Sequence, residues 1–183
     1  MVLKKMAAAL ALVLVPLTAA VVIDAPSAYA GTEHMHLITK LDNFFLSISP
    51  GPWGPGTIVD VTTDGPDIIE DWELPGNGTV DNAMGYIENA NSGMCLETDG
   101  VAGHPLYQSP CSGYLLGQVW KISYITNWLG QETYARIINP ATQLAADVGG
   151  SDRNNNAEVI GWPLNGSGTA NQLWSIQFAK YGE

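Results

Sequence analysis

Cysteine is scarce in this sequence: Cys95 and Cys111 are the only two among 183 residues. That excludes a scaffold stapled by many disulfides, and the three histidines never join the cysteines at metal-ligand spacing, so no metal site is expected. Positive charge is scarce as well. Seven Lys and Arg stand against 18 Asp and Glu, a formal net charge of −11, and a surface of that sign repels a phosphate backbone, which argues against nucleic-acid binding. Long apolar runs are confined to the first thirty residues, and apolar residues at helical spacing are missing after them. With 20 glycines and 11 prolines punctuating the chain, long helices are excluded.

The amino-terminal run has its own logic. Lys4 and Lys5 precede an apolar stretch from Met6 to Val22, and Ala28-Tyr29-Ala30 follows it, the order of a cleaved secretory signal. A membrane helix fits less well, because Pro16 interrupts the stretch and Asp24 follows closely; a lipid anchor would need a cysteine at the cleavage point. The expectation is a signal peptide over 1–30 and a soluble, secreted, extracellular domain over 31–183, with no membrane insertion. At 183 less 30, or 153 residues, it is long enough for one ordinary core. Both cysteines lie in the exported part, where an oxidising environment favours a Cys95–Cys111 disulfide.

The remaining chain repeats. Three segments open on an isoleucine-centred strand: His36-Leu37-Ile38, Gly85-Tyr86-Ile87 and Ala135-Arg136-Ile137. Each reaches a small or apolar residue on a second strand, at Phe45, Cys95 and Ala145, and each closes on a tryptophan, at Trp72, Trp120 and Trp174. The repeats run over about 36–76, 83–124 and 134–178. Short alternating runs such as Phe45-Leu46-Ser47-Ile48, bounded by Gly, Pro, Asn and Asp, are strand and turn signals, so the class is all-β. Strands at this density call for an arrangement that hides its edges.

The repeat endings select that arrangement. Gln118-Val119-Trp120 and Gln172-Leu173-Trp174 both read Q-x-W, with Glu70-Asp71-Trp72 as the departing third. Ser92-Gly93-Met94-Cys95-Leu96-Glu97 and Pro110-Cys111 add a second motif. Together they resemble the repeats of the ricin B-chain-type lectin domain, over roughly residues 36–176, nearly the whole mature chain. The resemblance implies a β-trefoil of three pseudo-symmetric repeats, a barrel capped by three hairpins, with a disulfide inside one repeat. Trp72, Trp120 and Trp174 are then structural residues filling one central core.

The family's sugar-competent repeats use an aspartate on the early strand to accept from ring hydroxyls, an aromatic residue to stack, and an asparagine just before Q-x-W. By that resemblance the third repeat carries the carbohydrate-binding site: Asp147 as acceptor, Trp162 as stacking surface, Asn171 as further partner, and Gln172 orienting Asp147. Ile160 departs from the pattern, falling where a glutamine often sits. In the middle repeat Glu97, Ser109 and Gly117 replace the three contacts, with Tyr107 off register by two; in the first, Ser47, Thr62 and Ile69 replace them. Both read as scaffold.

Other signals weigh less. Asp60, Asp64, Gly65 and Asp71 partly match a calcium loop, but Thr62 and Asp67 break the pattern, and a solvated acidic hairpin is expected. His34 and His36 read as a disordered start, Trp53 as a cover over the barrel, and Asn77-Gly78-Thr79 and Asn165-Gly166-Ser167 as turns. No nucleophile–base pair, catalytic carboxylate pair or cofactor motif stands out, so the expected function is sugar binding without catalysis. The alternative is an extracellular protein-interaction module, such as a protease inhibitor, using Trp53 and the acidic stretch from Asp60 to Glu73.

Overall fold

Alternation decides the first strand: Met35 and Leu37 are buried while His36 between them is partly exposed, the period-two pattern of a strand with one face on a core. The computed structural model describes residues 33–51, 53–63, 68–126, 133–166 and 169–179. The expected signal peptide, and Asp64, Gly65, Asp67 and Ser167 of the segments weighed above, lie outside the described residues. Within them the chain is all-β, with only one-turn 3-10 segments between strands.

The strands are β1 (Met35–Thr39), β2 (Phe45–Ile48), β3 (Val59–Thr62), β4 (Trp72–Glu73), β5 (Met84–Gly85), β6 (Glu88–Asn89), β7 (Met94–Glu97), β8 (Tyr107–Pro110), β9 (Trp120–Thr126), β10 (Thr133–Ile138), β11 (Leu144–Val148), β12 (Ala157–Pro163) and β13 (Trp174–Phe178). Antiparallel pairing runs β1–β4–β6, then β5–β9–β10–β13, and β13 returns to β1. With β5 and β6 as one interrupted strand, this ring is a closed barrel. Three hairpins, β2–β3, β7–β8 and β11–β12, cap it. The fold is the expected β-trefoil, and closure removes the edge that an open sheet would expose.

The pseudo-symmetry is exact in register. Ile38 faces Phe45, Glu88 faces Cys95, and Ile138 faces Ala145. The position equivalent to Ile87 and Ile137 is therefore Leu37 and not Ile38, and all three are fully buried. Each closing tryptophan is also fully buried. Their indole N–H groups donate to equivalent carbonyls: Trp72 to Leu46 at 2.9 Å, Trp120 to Leu96 at 2.8 Å and Trp174 to Ala146 at 3.2 Å. One side chain thus supplies apolar bulk to the core and satisfies its own polar atom there.

The repeats interlock in a circle. The first repeat's loop lies along β8 of the second, Gly56 N–H donating to Gln108 O at 2.8 Å and Gln108 N–H to Thr57 O at 2.9 Å. The second repeat's loop lies along β12 of the third, Gly103 N–H donating to Gly161 O at 2.8 Å. The third returns to β3 of the first, Asn156 N–H donating to Val61 O at 2.8 Å, with Glu158 paired to Asp60. Buried asparagines add to the joints. Asn89 Nδ2 donates to Ile69 O and Asp71 O, and Asn139 Nδ2 to Leu116 O and Val119 O, while each Oδ1 caps the turn that follows.

Cys95 and Cys111 form the expected disulfide, with Cα atoms 5.0 Å apart and a sequence separation of 16. Three expectations are corrected. His34 and His36 are not a disordered start: His36 sits in β1, held by pairing to β13, and its Nε2 lies 2.9 Å from Asp71 Oδ1. The stretch from Asp60 to Asp71 is not simply a solvated acidic hairpin, because Asp60, Glu70 and Asp71 are buried, with Ser49 Oγ donating to Asp60 and Thr62 Oγ1 to Glu70. Trp53 does not cover the barrel; half its surface is exposed, since the loop is drawn instead toward β8.

Candidate functional site

The four residues singled out in the third repeat come from three elements. Asp147 lies on β11, Trp162 on β12, and Asn171 and Gln172 in the 3-10 turn Ala170–Gln172 that precedes β13. Asp147 faces Ile160 and Ala145 faces Trp162 across the hairpin. Directly paired residues share a face, as do residues two apart, so Asp147 and Trp162 stand diagonally on one side of the sheet. Ala146 and Val148 turn to the opposite side and join the core.

Asp147 is only 2% exposed. Asn171 Nδ2 donates to its Oδ1 at 2.7 Å and Gln172 Nε2 to its Oδ2 at 2.8 Å. The same Gln172 amide donates to Pro163 O at 3.0 Å, while its Oε1 accepts from Asn165 N–H at 2.9 Å. Gln172 thereby ties the carboxylate to the end of β12. Burial pushes the Asp147 carboxyl above its usual range, and the hydrogen bonds from Gln172 and Asn171 partly offset this. Each carboxylate oxygen has one lone pair engaged by an amide and a second left to accept.

Trp162, in contrast, is 41% exposed. One edge of its indole meets the second repeat, where a Cβ on Gly103 would lie 3.3 Å from Cζ3. The site therefore joins an oriented, buried carboxylate to an exposed aromatic face, which is the pairing a sugar needs: directed partners for hydroxyls and a flat apolar surface for C–H groups. Ile160 places an apolar side chain beside Asp147 where a polar one was looked for.

The other repeats hold the equivalent positions differently. In the middle repeat Glu97 pairs with Tyr107 and Cys95 with Ser109, so Ser109 does occupy the register position of Trp162. Tyr107, Ser109 and Gln118 all donate to the Glu97 carboxylate, and the Tyr107 phenol is pushed up to about 12 by burial and by the Glu97 charge. That carboxylate is consumed internally. In the first repeat Ser47, fully buried, faces Asp60, whose carboxyl is raised by burial.

Glu88, Cys95 and Cys111 bring metal-ligand atoms within 4.8 Å of one another, but both sulfurs are spent in the disulfide. The sequence reading missed Gly103 and the loop around it. The only signal was a glycine that takes the same place as Gly56, both in the left-handed region, at φ +89° and +86°; the equivalence shows only once the inter-repeat pairing is known.

The three repeats close into a β-trefoil whose third repeat gathers Asp147, Trp162, Asn171 and Gln172. The sequence matches the family described as ricin-type β-trefoil lectin domain-like over residues 70–162. The chain belongs to that family. No curated protein matches it in sequence. Among solved structures it resembles a designed three-fold symmetric protein, with a TM-score of 0.66 and 18% identity over 78% of this chain and 96% of that one. It also resembles the carboxy-terminal half of an earthworm R-type lectin in complex with GalNAc, with a TM-score of 0.60 and 14% identity over 80% and 99% of the two chains. An exo-β-1,3-galactanase from Clostridium thermocellum gives a TM-score of 0.68 and 21% identity over 82% of this chain but 31% of the enzyme. At these identities the likeness is one of fold.

Proposed function

We propose that this protein is a secreted, non-catalytic carbohydrate-binding module that engages galactose-type or related sugars on a polysaccharide or cell surface through its third repeat. One observation carries the reading: the Asp147 carboxylate is oriented by Asn171 and Gln172 on the face that also presents Trp162. A hydroxyl-bearing ring laid on the indole directs its polar edge toward Asp147 and Asn171. Family membership supports sugar binding, and the GalNAc complex of the earthworm lectin and the galactanase favour the galactose class. Secretion rests on the amino-terminal pattern of the sequence.

A single shallow site of this kind binds a monosaccharide with a dissociation constant on the order of 1 mM, or about −4 kcal/mol. Retention on a target then comes from a dense polymer or from several copies acting together. The test is a glycan array probed with wild type and Asp147→Asn. Selective loss of galactose-type signals in the variant supports the site; indistinguishable arrays would place binding elsewhere.

A second reading, a protein-interaction surface, draws on the exposure of Trp53 at 51% and Tyr114 at 95%. Capture of a protein partner that free sugar does not displace, lost on Trp53→Ala, would favour it.

A further inference from the structure

Away from the third repeat, one outer face of the barrel gathers a different kind of side chain. Met35 of β1 pairs with Trp72 of β4, and both belong to the core. Side chains alternate along a strand, so the residues flanking that pair turn outward together: His34 and His36 around Met35, Asp71 and Glu73 around Trp72. The antiparallel register sets His36 against Asp71 and His34 against Glu73, and the contacts follow it. His36 Nε2 lies 2.9 Å from Asp71 Oδ1, His34 Nε2 lies 3.7 Å from Glu73 Oε1, and His34 Nδ1 comes diagonally to 3.9 Å from Asp71 Oδ2. Spacing along the chain hides this set, because His36 and Asp71 stand 35 positions apart.

The surroundings suit a cation. The Asp71 side chain is only 4% exposed, whereas His34, His36 and Glu73 are partly exposed, so a buried carboxylate lies at the base of a set that opens to solvent. Phe45 meets the His36 ring edge-on, with centroids 5.1 Å apart and 89° between the planes. On the other side of β4, Glu73 pairs with Glu88 of β6, and like charges directly opposite one another are destabilising. A dication beside them relieves that repulsion; an uncharged imidazole does not.

We propose that His34, His36, Asp71 and Glu73 hold a divalent first-row transition cation, with Zn2+ the best match, and that the ion clamps β1 to β4. Two imidazole nitrogens and two carboxylate oxygens make a zinc donor set, whereas Ca2+ and Mg2+ take oxygen ligands. Zinc bonds of about 2.0–2.2 Å in a tetrahedron hold ligand atoms roughly 3.3–3.6 Å apart, and the three contacts, at 2.9, 3.7 and 3.9 Å, bracket that spacing. His34 and Glu73 must turn inward to share one ion with His36, and their partial exposure leaves them side-chain freedom to do so. Four protein ligands leave no position for a substrate, so the role is structural. Because β1 pairs with both β13 and β4, the clamp sits where the ring of strands closes.

The experiment is calorimetry with Zn2+, and separately with Ca2+, on protein purified without a polyhistidine tag, as wild type, His34→Gln, His36→Ala and His104→Ala. The last is a control histidine beside Asp99. The expected result is one Zn2+ per chain in wild type and His104→Ala, with a dissociation constant on the order of 1 μM, weakened about tenfold or more in His34→Gln and His36→Ala. Added Zn2+ should raise the thermal midpoint of wild type and leave that of His34→Gln unchanged. His34→Gln keeps a polar side chain at a partly exposed position, so the test stands even where His36→Ala does not fold. Wild type that takes up no Zn2+, zinc affinity unchanged in His34→Gln, or Ca2+ bound as tightly as Zn2+ overturns the proposal. The site shares no residue with the third-repeat constellation, so neither result bears on sugar binding.

Discussion

Gly117 lies so close to the carbonyl of Thr98 that a Cβ would stand 2.4 Å from the oxygen. Thr98 N–H in turn donates to Gly117 O at 3.1 Å. Gly117 takes the place in the middle repeat that Asn171 takes in the third, each immediately before the Q-x-W glutamine. The middle repeat therefore lacks the asparagine for a steric reason. Gly117→Asn, made to restore it, should destabilise the protein by about 1–3 kcal/mol through overpacking, read as a lower denaturation midpoint, and should create no second sugar site by calorimetry.

Asp147 separates stability from binding according to the substitution chosen. Asp147→Ala strips an acceptor from the buried amides of Asn171 and Gln172, which costs about 1–3 kcal/mol. Asp147→Asn keeps the shape and an acceptor oxygen, so it should unfold closer to wild type yet bind galactose-type sugars at least tenfold more weakly, about 1.4 kcal/mol. Chemical denaturation and calorimetry on the two variants check the contrast; equal sugar affinity in wild type and Asp147→Asn would remove Asp147 from the site.

Binding and stability should also part company with pH. The folded Asp147 carboxyl is raised above 3.8 by burial, so the folded state takes up this proton at a higher pH than the unfolded chain does. As pH falls through the folded value, this group's burial penalty is relieved and its contribution to stability rises, levelling off below the unfolded value. Sugar binding, which needs the ionised acceptor, should fall over the same range. A titration of affinity that holds flat until the ordinary aspartate range would contradict this.

The two kinds of tryptophan predict opposite outcomes. Trp174→Ala empties a fully buried site and removes the bond to Ala146, for a loss of about 3–5 kcal/mol. Trp162→Ala should change stability by no more than about 0.5 kcal/mol, as for exposed positions, and abolish measurable monosaccharide binding. Thermal scans with matched calorimetry decide it.

The disulfide closes a short loop, its half-cystines 16 positions apart in sequence. Paired Cys95→Ser and Cys111→Ser substitutions should cost about 3 kcal/mol, seen as a lower guanidinium midpoint, with the β-sheet circular dichroism signal retained under native conditions.

Much of this was legible in the sequence because a repeated fold repeats its marks. The tryptophans, the Phe45–Cys95–Ala145 series and the Q-x-W endings all hold the equivalent positions that their spacing implied, since each is fixed by local strand register. The same register sets Asp147 and Trp162 on one face and brings Asn171 and Gln172 to the Asp147 carboxylate. What spacing does not carry is contact between repeats. Gly103 against Trp162, Asn89 and Asn139 at the joints, and the burial of Asp60 depend on one repeat docking on the next. His34 and His36 were misread because a strand beside an unpatterned start has too few residues to display its period; pairing with β13 settles it.

The circular docking of loops gives each repeat a neighbour's residues as one wall of its hairpin face. A hairpin on this scaffold is thus inherited in two pieces, its own two strands from one repeat and a flanking loop from the repeat before it. Copying a single repeat transmits its strands without that flank, so a repeat is complete only in a ring with its neighbours.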